Sequence, residues 1–204
     1  MVDIPTKLAL QIVKLYQADY RLQYYVREIA LLVGRSHPTI LPYLKELEKE
    51  RVLTAKYIGK TKVYSLNLAS IVALEYISMA EAQATIEYLK KTLLIRKVNE
   101  ELFKMNLEGT IILFGSYAKG NYTGNSDIDL FYLGKIDDAN VVKIRNLRRI
   151  YGKTINIKTL NRHLFENAVR RKDPLVKEVI KNHVLLQNPE QFINILWRYY
   201  NEIK

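Results

Sequence analysis

The feature that most constrains this chain is a Gly-Ser pair followed, at a set interval, by two aspartates one residue apart. Gly109-Thr-Ile-Ile-Leu-Phe114 is an apolar run of strand type that ends directly in Gly115-Ser116. Ten residues separate Ser116 from Asp127, and Asp127-Ile-Asp-Leu-Phe131 reads as a second strand. Side chains at i and i+2 of a strand share a face. Asp127 and Asp129 therefore project together, while Ile128 and Leu130 enter a core. Two carboxylates on one face form a hard oxygen site suited to magnesium, and a pair of such ions can bridge a triphosphate. Gly115 allows close backbone approach, and the Ser116 hydroxyl and nearby amides can hold phosphate oxygens. Lys119 adds positive charge toward a triphosphate, and Ser126 caps or orients the first aspartate.

The stretch FGSYAKGNYTGNSDIDLFYLG, residues 114–134, resembles the signature of polymerase-beta-type nucleotidyltransferases: G-S, ten residues, then D-x-D. Ala118, Gly120 and Ser126 fit that pattern too, and the likeness extends over residues 95–160 or so. The resemblance implies a small mixed sheet flanked by helices. It also implies transfer of a nucleoside monophosphate from an NTP, with release of pyrophosphate. Asp127 and Asp129 would bind magnesium, and Gly115 and Ser116 would touch the triphosphate. Members of this family usually carry a further acid on a third strand, where it helps hold metal and deprotonate the acceptor. The matching stretch here is Lys153-Thr-Ile-Asn-Ile-Lys-Thr-Leu160. Alternation puts Thr154, Asn156 and Lys158 on one face, with Ile155 and Ile157 buried. Asn156 holds the acid's position, and no acid occurs between Asp138 and Glu166. An amide cannot serve as a base, so nucleotide binding is better supported than turnover.

The first 70 residues have a different pattern. Leu8, Ile12, Val13 and Leu15 recur at helical spacing over 6–18; Val26–Val33 forms a second apolar stretch that stops at Gly34. Ser36 caps a third helix running to about Glu50, with Ile40, Leu41, Leu44 and Leu47 on its apolar face. Two alternating segments, 53–58 and 62–68, flank a Gly59-Lys60-Thr61 turn. Three helices and a hairpin describe a winged helix-turn-helix, and the stretch 27–67 resembles the small winged-helix domains of archaeal and bacterial regulators. This portion holds 11 Lys and Arg against 6 Asp and Glu, a net of +5. The resemblance places a recognition helix in the major groove of double-stranded DNA. Arg35, His37, Thr39 and Lys45 would meet bases or phosphates, and Lys56, Lys60 and Lys62 on the wing would meet phosphates. Pro42 interrupts that helix, and Glu46, Glu48 and Glu50 make its far end acidic.

The expected class is α+β. A winged helix-turn-helix domain occupies 1–70 and linking helices 71–105, which also suit a homodimer seam. A nucleotidyltransferase-like domain with a small mixed sheet and a helical C-terminus fills 106–204. Helices are expected at 164–171, 175–186 and 191–203. His163 and His183 have no partners at metal spacing and read as structural. The formal charge of +11 fits a polyanionic partner. The absence of cysteine excludes disulfides and thiolate zinc sites. No apolar run approaches membrane length and no signal-peptide pattern opens the chain, so a cytoplasmic location is expected.

The two halves together resemble archaeal fusions of a winged helix to a minimal nucleotidyltransferase. Such minimal enzymes often act as antitoxins to separate HEPN-domain toxins. Three readings follow. The chain is a DNA-binding transcriptional regulator that binds NTP, with ATP expected, and magnesium, as an autoregulating antitoxin. Or it is an active nucleotidyltransferase with a protein or RNA acceptor. Or it is a degenerate nucleotide sensor or scaffold, which Asn156 favours over the plain enzyme.

Overall fold

The structure is a computed structural model that describes residues 5–202. The expected domain ends at 1 and 204, and the expected helix end at 203, lie outside the described residues. The chain divides into two compact units, 1–83 with 200–204 and 84–199. The division falls inside a continuous helix that spans residues 71–91.

The first unit contains α1 (Lys7–Lys14), β1 (Gln23–Tyr25), α2 (Val26–Leu32), α3 (His37–Lys49), β2 (Leu53–Ile58), β3 (Thr61–Leu66) and the start of α4 (Ile71–Lys91). Its antiparallel sheet has the order β1-β3-β2. Ser36 caps α3: its side chain accepts from the Thr39 amide, a contact worth about 1 kcal/mol. Ile40, Leu44 and Leu47 of α3 pack into the core with Ile12, Val13, Ile29 and Leu53. Each contributes about 1.5–3 kcal/mol by leaving water. Contrary to the sequence expectation, Pro42 does not interrupt α3, which runs unbroken across it. The bond that Pro42 cannot donate would reach the carbonyl of Pro38 in the first turn, so a single hydrogen bond is forfeited. The hairpin is tighter than expected. Ile58 pairs with Thr61, and Gly59 turns the chain at φ +61°. At the far end, the Arg21 guanidinium donates to the Tyr200 carbonyl at 2.9 Å.

The second unit contains the rest of α4, α5 (Leu93–Lys104), β4 (Thr110–Phe114), α6 (Gly115–Lys119), β5 (Ile128–Leu133), α7 (Asp138–Asn146), α8 (Arg148–Tyr151), β6 (Ile155–Leu160), α9 (Arg162–Arg170), α10 (Pro174–Lys181), β7 (Val184–Gln187) and most of α11 (Glu190–Glu202). Its mixed sheet has the order β6-β5-β4-β7. The β5–β6 pair is parallel, and β4 runs antiparallel to both β5 and β7. A core of Ile95, Val98, Leu102, Ile111, Leu113, Leu130 and Ile157 backs the sheet.

The helix expected at 175–186 is shorter than predicted. It ends at Lys181, and Val184–Gln187 becomes the strand that closes the β4 edge. The physical reason is packing: Val184 and Leu186 join the sheet's core, and an apolar run of this length is compatible with either helix or strand. Among the described residues no helix is long and apolar enough to cross a membrane.

Candidate functional site

Three neighbouring strands bring the site together. Phe114 at the end of β4 pairs with Asp129 on β5, and Asp129 pairs with Asn156 on β6. Asp127 sits one residue before β5, held by the bond from the Ile128 amide to the Thr154 carbonyl at 2.9 Å. Asn156 then links the two acids. Its side-chain nitrogen donates to Asp129 Oδ1 at 3.0 Å and to Asp127 Oδ2 at 3.4 Å. The alternation along β6 is as the sequence indicates, with Ile155 and Ile157 buried and Asn156 and Lys158 exposed.

Gly115 is required by this geometry. Its φ is +71°, and a Cβ placed there would collide with Asp129 Oδ2. The chain can therefore turn from β4 into α6 directly over the carboxylate. Ser116, half-buried, follows in the first turn of α6; its carbonyl accepts from the Asn121 amide at 3.2 Å. The connection to Asp127 is pinned at several points. Ser126 Oγ accepts from the Thr123 amide at 2.8 Å, and Lys153 Nζ donates to the Gly124 carbonyl. Tyr117 and Tyr122 stack with ring centroids 4.3 Å apart.

Lys119, expected toward the triphosphate, makes a partly exposed ion pair with Glu178 of α10 at 2.7 Å. Ser126 likewise serves the 123–126 turn and makes no hydrogen bond to Asp127. Gly115, Ser116, Asp127 and Asp129 are the expected residues that the fold does bring together.

Sequence reasoning did not single out Arg145 and Arg148. With Lys158 they line a cavity of about 480 Å³ that also touches Phe114, Asp129 and Asn156. The signal was legible, since residues 139–165 hold seven Lys and Arg and no acid.

The donor set determines which metal the site can take. Asp127 and Asp129 are oxygen donors of the kind magnesium selects, whereas Asn156 turns its side-chain nitrogen toward them. Among the described residues there is no cluster of three or more His, Cys, Asp or Glu able to hold a metal. The two carboxylates fit a magnesium whose remaining ligands would be phosphate and water oxygens.

In the first unit Arg35, His37, Thr39, Lys45, Lys56 and Lys60 are exposed. Thr39 shares its hydroxyl with Ser36 at 2.7 Å. Lys62 is half-buried and ion-paired to Glu48 at 2.7 Å, and this hydrogen bond raises its pKa.

Over 60 residues the chain is 42% identical to a protein of Methanocaldococcus jannaschii provisionally named a protein adenylyltransferase. That match takes in 29% of this chain and 60% of the relative's length. A crystal structure of a toxin–antitoxin with AMP-PNP aligns over 52% of this chain and 84% of its own, at 18% identity and a TM-score of 0.36. The family model of the nucleotidyltransferase domain matches residues 94–186.

Proposed function

We propose that the second unit binds a magnesium–NTP complex, with ATP the expected nucleotide, and transfers its nucleoside monophosphate to a hydroxyl acceptor on a protein or RNA. The carrying observation is the convergence of Asp127 and Asp129 on Asn156, beside a Gly115 whose missing side chain leaves room over Asp129. Gly115 and Ser116 hold phosphate oxygens, and the two carboxylates hold the ion. Bound there, the magnesium neutralises phosphate charge. Asn156 contributes a hydrogen bond and no base, so the acceptor proton passes to water. The name of the archaeal relative supports ATP as the donor.

For the first unit, the order β1-β3-β2 behind α2 and α3 supports a winged helix-turn-helix. Exposed Arg35, His37, Thr39 and Lys45 at α3 and Lys56 and Lys60 on the hairpin support contact with double-stranded DNA. A transcriptional regulator of this kind acts as a homodimer on paired half-sites. The resemblance of 109–134 to minimal nucleotidyltransferases extends the reading to an autoregulating antitoxin with a separate HEPN-type toxin as partner.

Calorimetric titration of magnesium–ATP into wild type and Asp127→Ala/Asp129→Ala tests the nucleotide site. Binding by wild type alone supports it. Equal binding by both moves the nucleotide elsewhere, and binding by neither leaves the second unit a scaffold.

A further inference from the structure

We propose that the cavity lined by Arg145, Arg148 and Lys158 is a phosphate subsite for the backbone of a single-stranded nucleic-acid acceptor. This deepens the nucleotidyl-transfer reading and rests on it. Two of the basic groups near the site are already engaged. Lys119 is paired with Glu178, and Lys153 donates to the Gly124 carbonyl. The side chains of Arg145, Arg148 and Lys158 make no ion pair or hydrogen bond among the described residues. They come from three separate elements, α7, α8 and β6, and face one cavity of about 480 Å³. Asp129 is the one acid in its lining, because Asn156 stands where a second carboxylate would be. Seven Lys and Arg without an acid between 139 and 165 leave this flank strongly positive.

The cavity reaches Phe114 and Asp129, so it adjoins the expected triphosphate position, and its cationic lining lies to one side of it. Along the sheet, Gly115 and Ser116 follow β4 on one flank of Asp129, and the cationic residues lie about β6 on the other. In transfer at phosphorus, the attacking and leaving oxygens lie roughly in line on opposite sides. The pyrophosphate side therefore belongs to Gly115–Ser116 and the acceptor side to the cationic cavity. A strand's 3′-hydroxyl oxygen bonds to the α-phosphorus, the bond from that phosphorus to the β-phosphate bridging oxygen breaks, and pyrophosphate leaves. The hydroxyl proton goes to water. A neutral tyrosine acceptor needs no cluster of unpaired cations beside it; a phosphodiester chain does.

The test uses the full chain and a labelled single-stranded oligoadenylate RNA with a free 3′-hydroxyl. Anisotropy titrations across a series of KCl concentrations are run with magnesium on wild type, Arg145→Ala/Arg148→Ala/Lys158→Ala and Lys158→Glu. Duplex DNA serves as a control for the first unit, and magnesium–ATP affinity is measured in parallel. The expected result is RNA affinity reduced about tenfold or more in the triple variant. Its log–log salt slope should be shallower by about 2, from three lost contacts of ~0.7 each. Duplex DNA and magnesium–ATP affinities should stay within about twofold. Lys158→Glu, a single exposed substitution, gives the same direction if the triple variant does not fold. Unchanged RNA affinity overturns the inference. So does a loss of ATP affinity with RNA untouched, which assigns the cavity to the triphosphate tail. If wild type binds RNA through these cations but no ATP, the transfer reading falls while the phosphate subsite stands.

Discussion

The Asn156 side-chain nitrogen donates to Asp129 Oδ1 at 3.0 Å across the parallel β5–β6 pair, and reaches Asp127 Oδ2 at 3.4 Å. One neutral amide thus satisfies acceptors on both acids, at the position where the resembled signature has a third carboxylate. Three carboxylates at these distances would repel one another without a cation. With the amide, the apo site is self-consistent, and its dependence on metal for stability is reduced.

Asn156→Asp should therefore turn the site into a metal-dependent one. Without metal the variant should lose roughly 1–3 kcal/mol, from the lost donor and the added charge. Magnesium should return most of that loss, by binding the folded state selectively. Denaturant unfolding in EDTA and in magnesium measures both. An equal loss in the two conditions would show that Asn156 does not stand at the ion's position.

Much of this site was legible in sequence because strand alternation is strict. The i, i+2 spacing placed Asp127 and Asp129 on one face and put Asn156 and Lys158 opposite Ile155 and Ile157. The Ser36 cap was legible for a similar reason, since capping is local. Partnerships between distant segments were not legible. Nothing around Lys119 announces Glu178, and nothing in Val184-Leu185-Leu186 announces an edge of β4 rather than another turn of α10. The three-residue β1 was too short to show a period. Arg145 and Arg148 lie on short helices whose approach to β6 no sequence period announces.

Gly115 and Gly120 separate two consequences of adding a methyl group. Both have positive φ, +71° and +75°, but only Gly115 faces a neighbour, Asp129 Oδ2. Gly120→Ala should cost about 1 kcal/mol of backbone strain and leave magnesium–ATP affinity unchanged. Gly115→Ala should cost more, about 2–4 kcal/mol, and should weaken nucleotide binding at least about tenfold by displacing Asp129. Thermal melts and calorimetry on the pair measure this. Equal effects from both substitutions would mean that the approach to Asp129 is unimportant.

Alkaline stability should depend on Tyr88. Its hydroxyl donates to the Tyr117 carbonyl at 3.0 Å, and burial lifts its pKa from 10.0 to about 12. The folded state holds this proton more tightly than the unfolded chain does. The resulting stability is full below pH 10 and is lost as pH rises toward about 12. Tyr88→Phe should be less stable than wild type at pH 8, by ~1 kcal/mol for the lost hydrogen bond. The gap should narrow between pH 10 and 12, where wild type alone pays this linkage term. Tyr16, Tyr20, Tyr24 and Tyr76 shift in the same direction, so the informative quantity is the difference between the two proteins. A gap constant across that range would remove Tyr88 from the linkage.

Under the proposed DNA-binding reading, the hairpin lysines should contribute unequally. Lys56 and Lys60 are exposed, whereas Lys62 is ion-paired to Glu48 at 2.7 Å and lies 5.2 Å from the centroid of the Tyr64 ring. A phosphate contact by Lys62 would require breaking that pair; a contact by Lys56 or Lys60 would not. Each phosphate contact on duplex DNA contributes about 0.9 to the log–log salt slope. Lys56→Ala and Lys60→Ala should each lower the slope by about that amount, roughly equally across DNA sequences. Lys62→Ala should leave the slope nearly unchanged and cost at most ~1 kcal/mol of stability, as a partly exposed pair does. Anisotropy titrations of duplex DNA over a salt series, alongside melts of the three variants, check this ordering. If Lys62→Ala lowers the slope as much as the others, the Glu48 pair opens on binding and the wing approaches DNA through β3 as well.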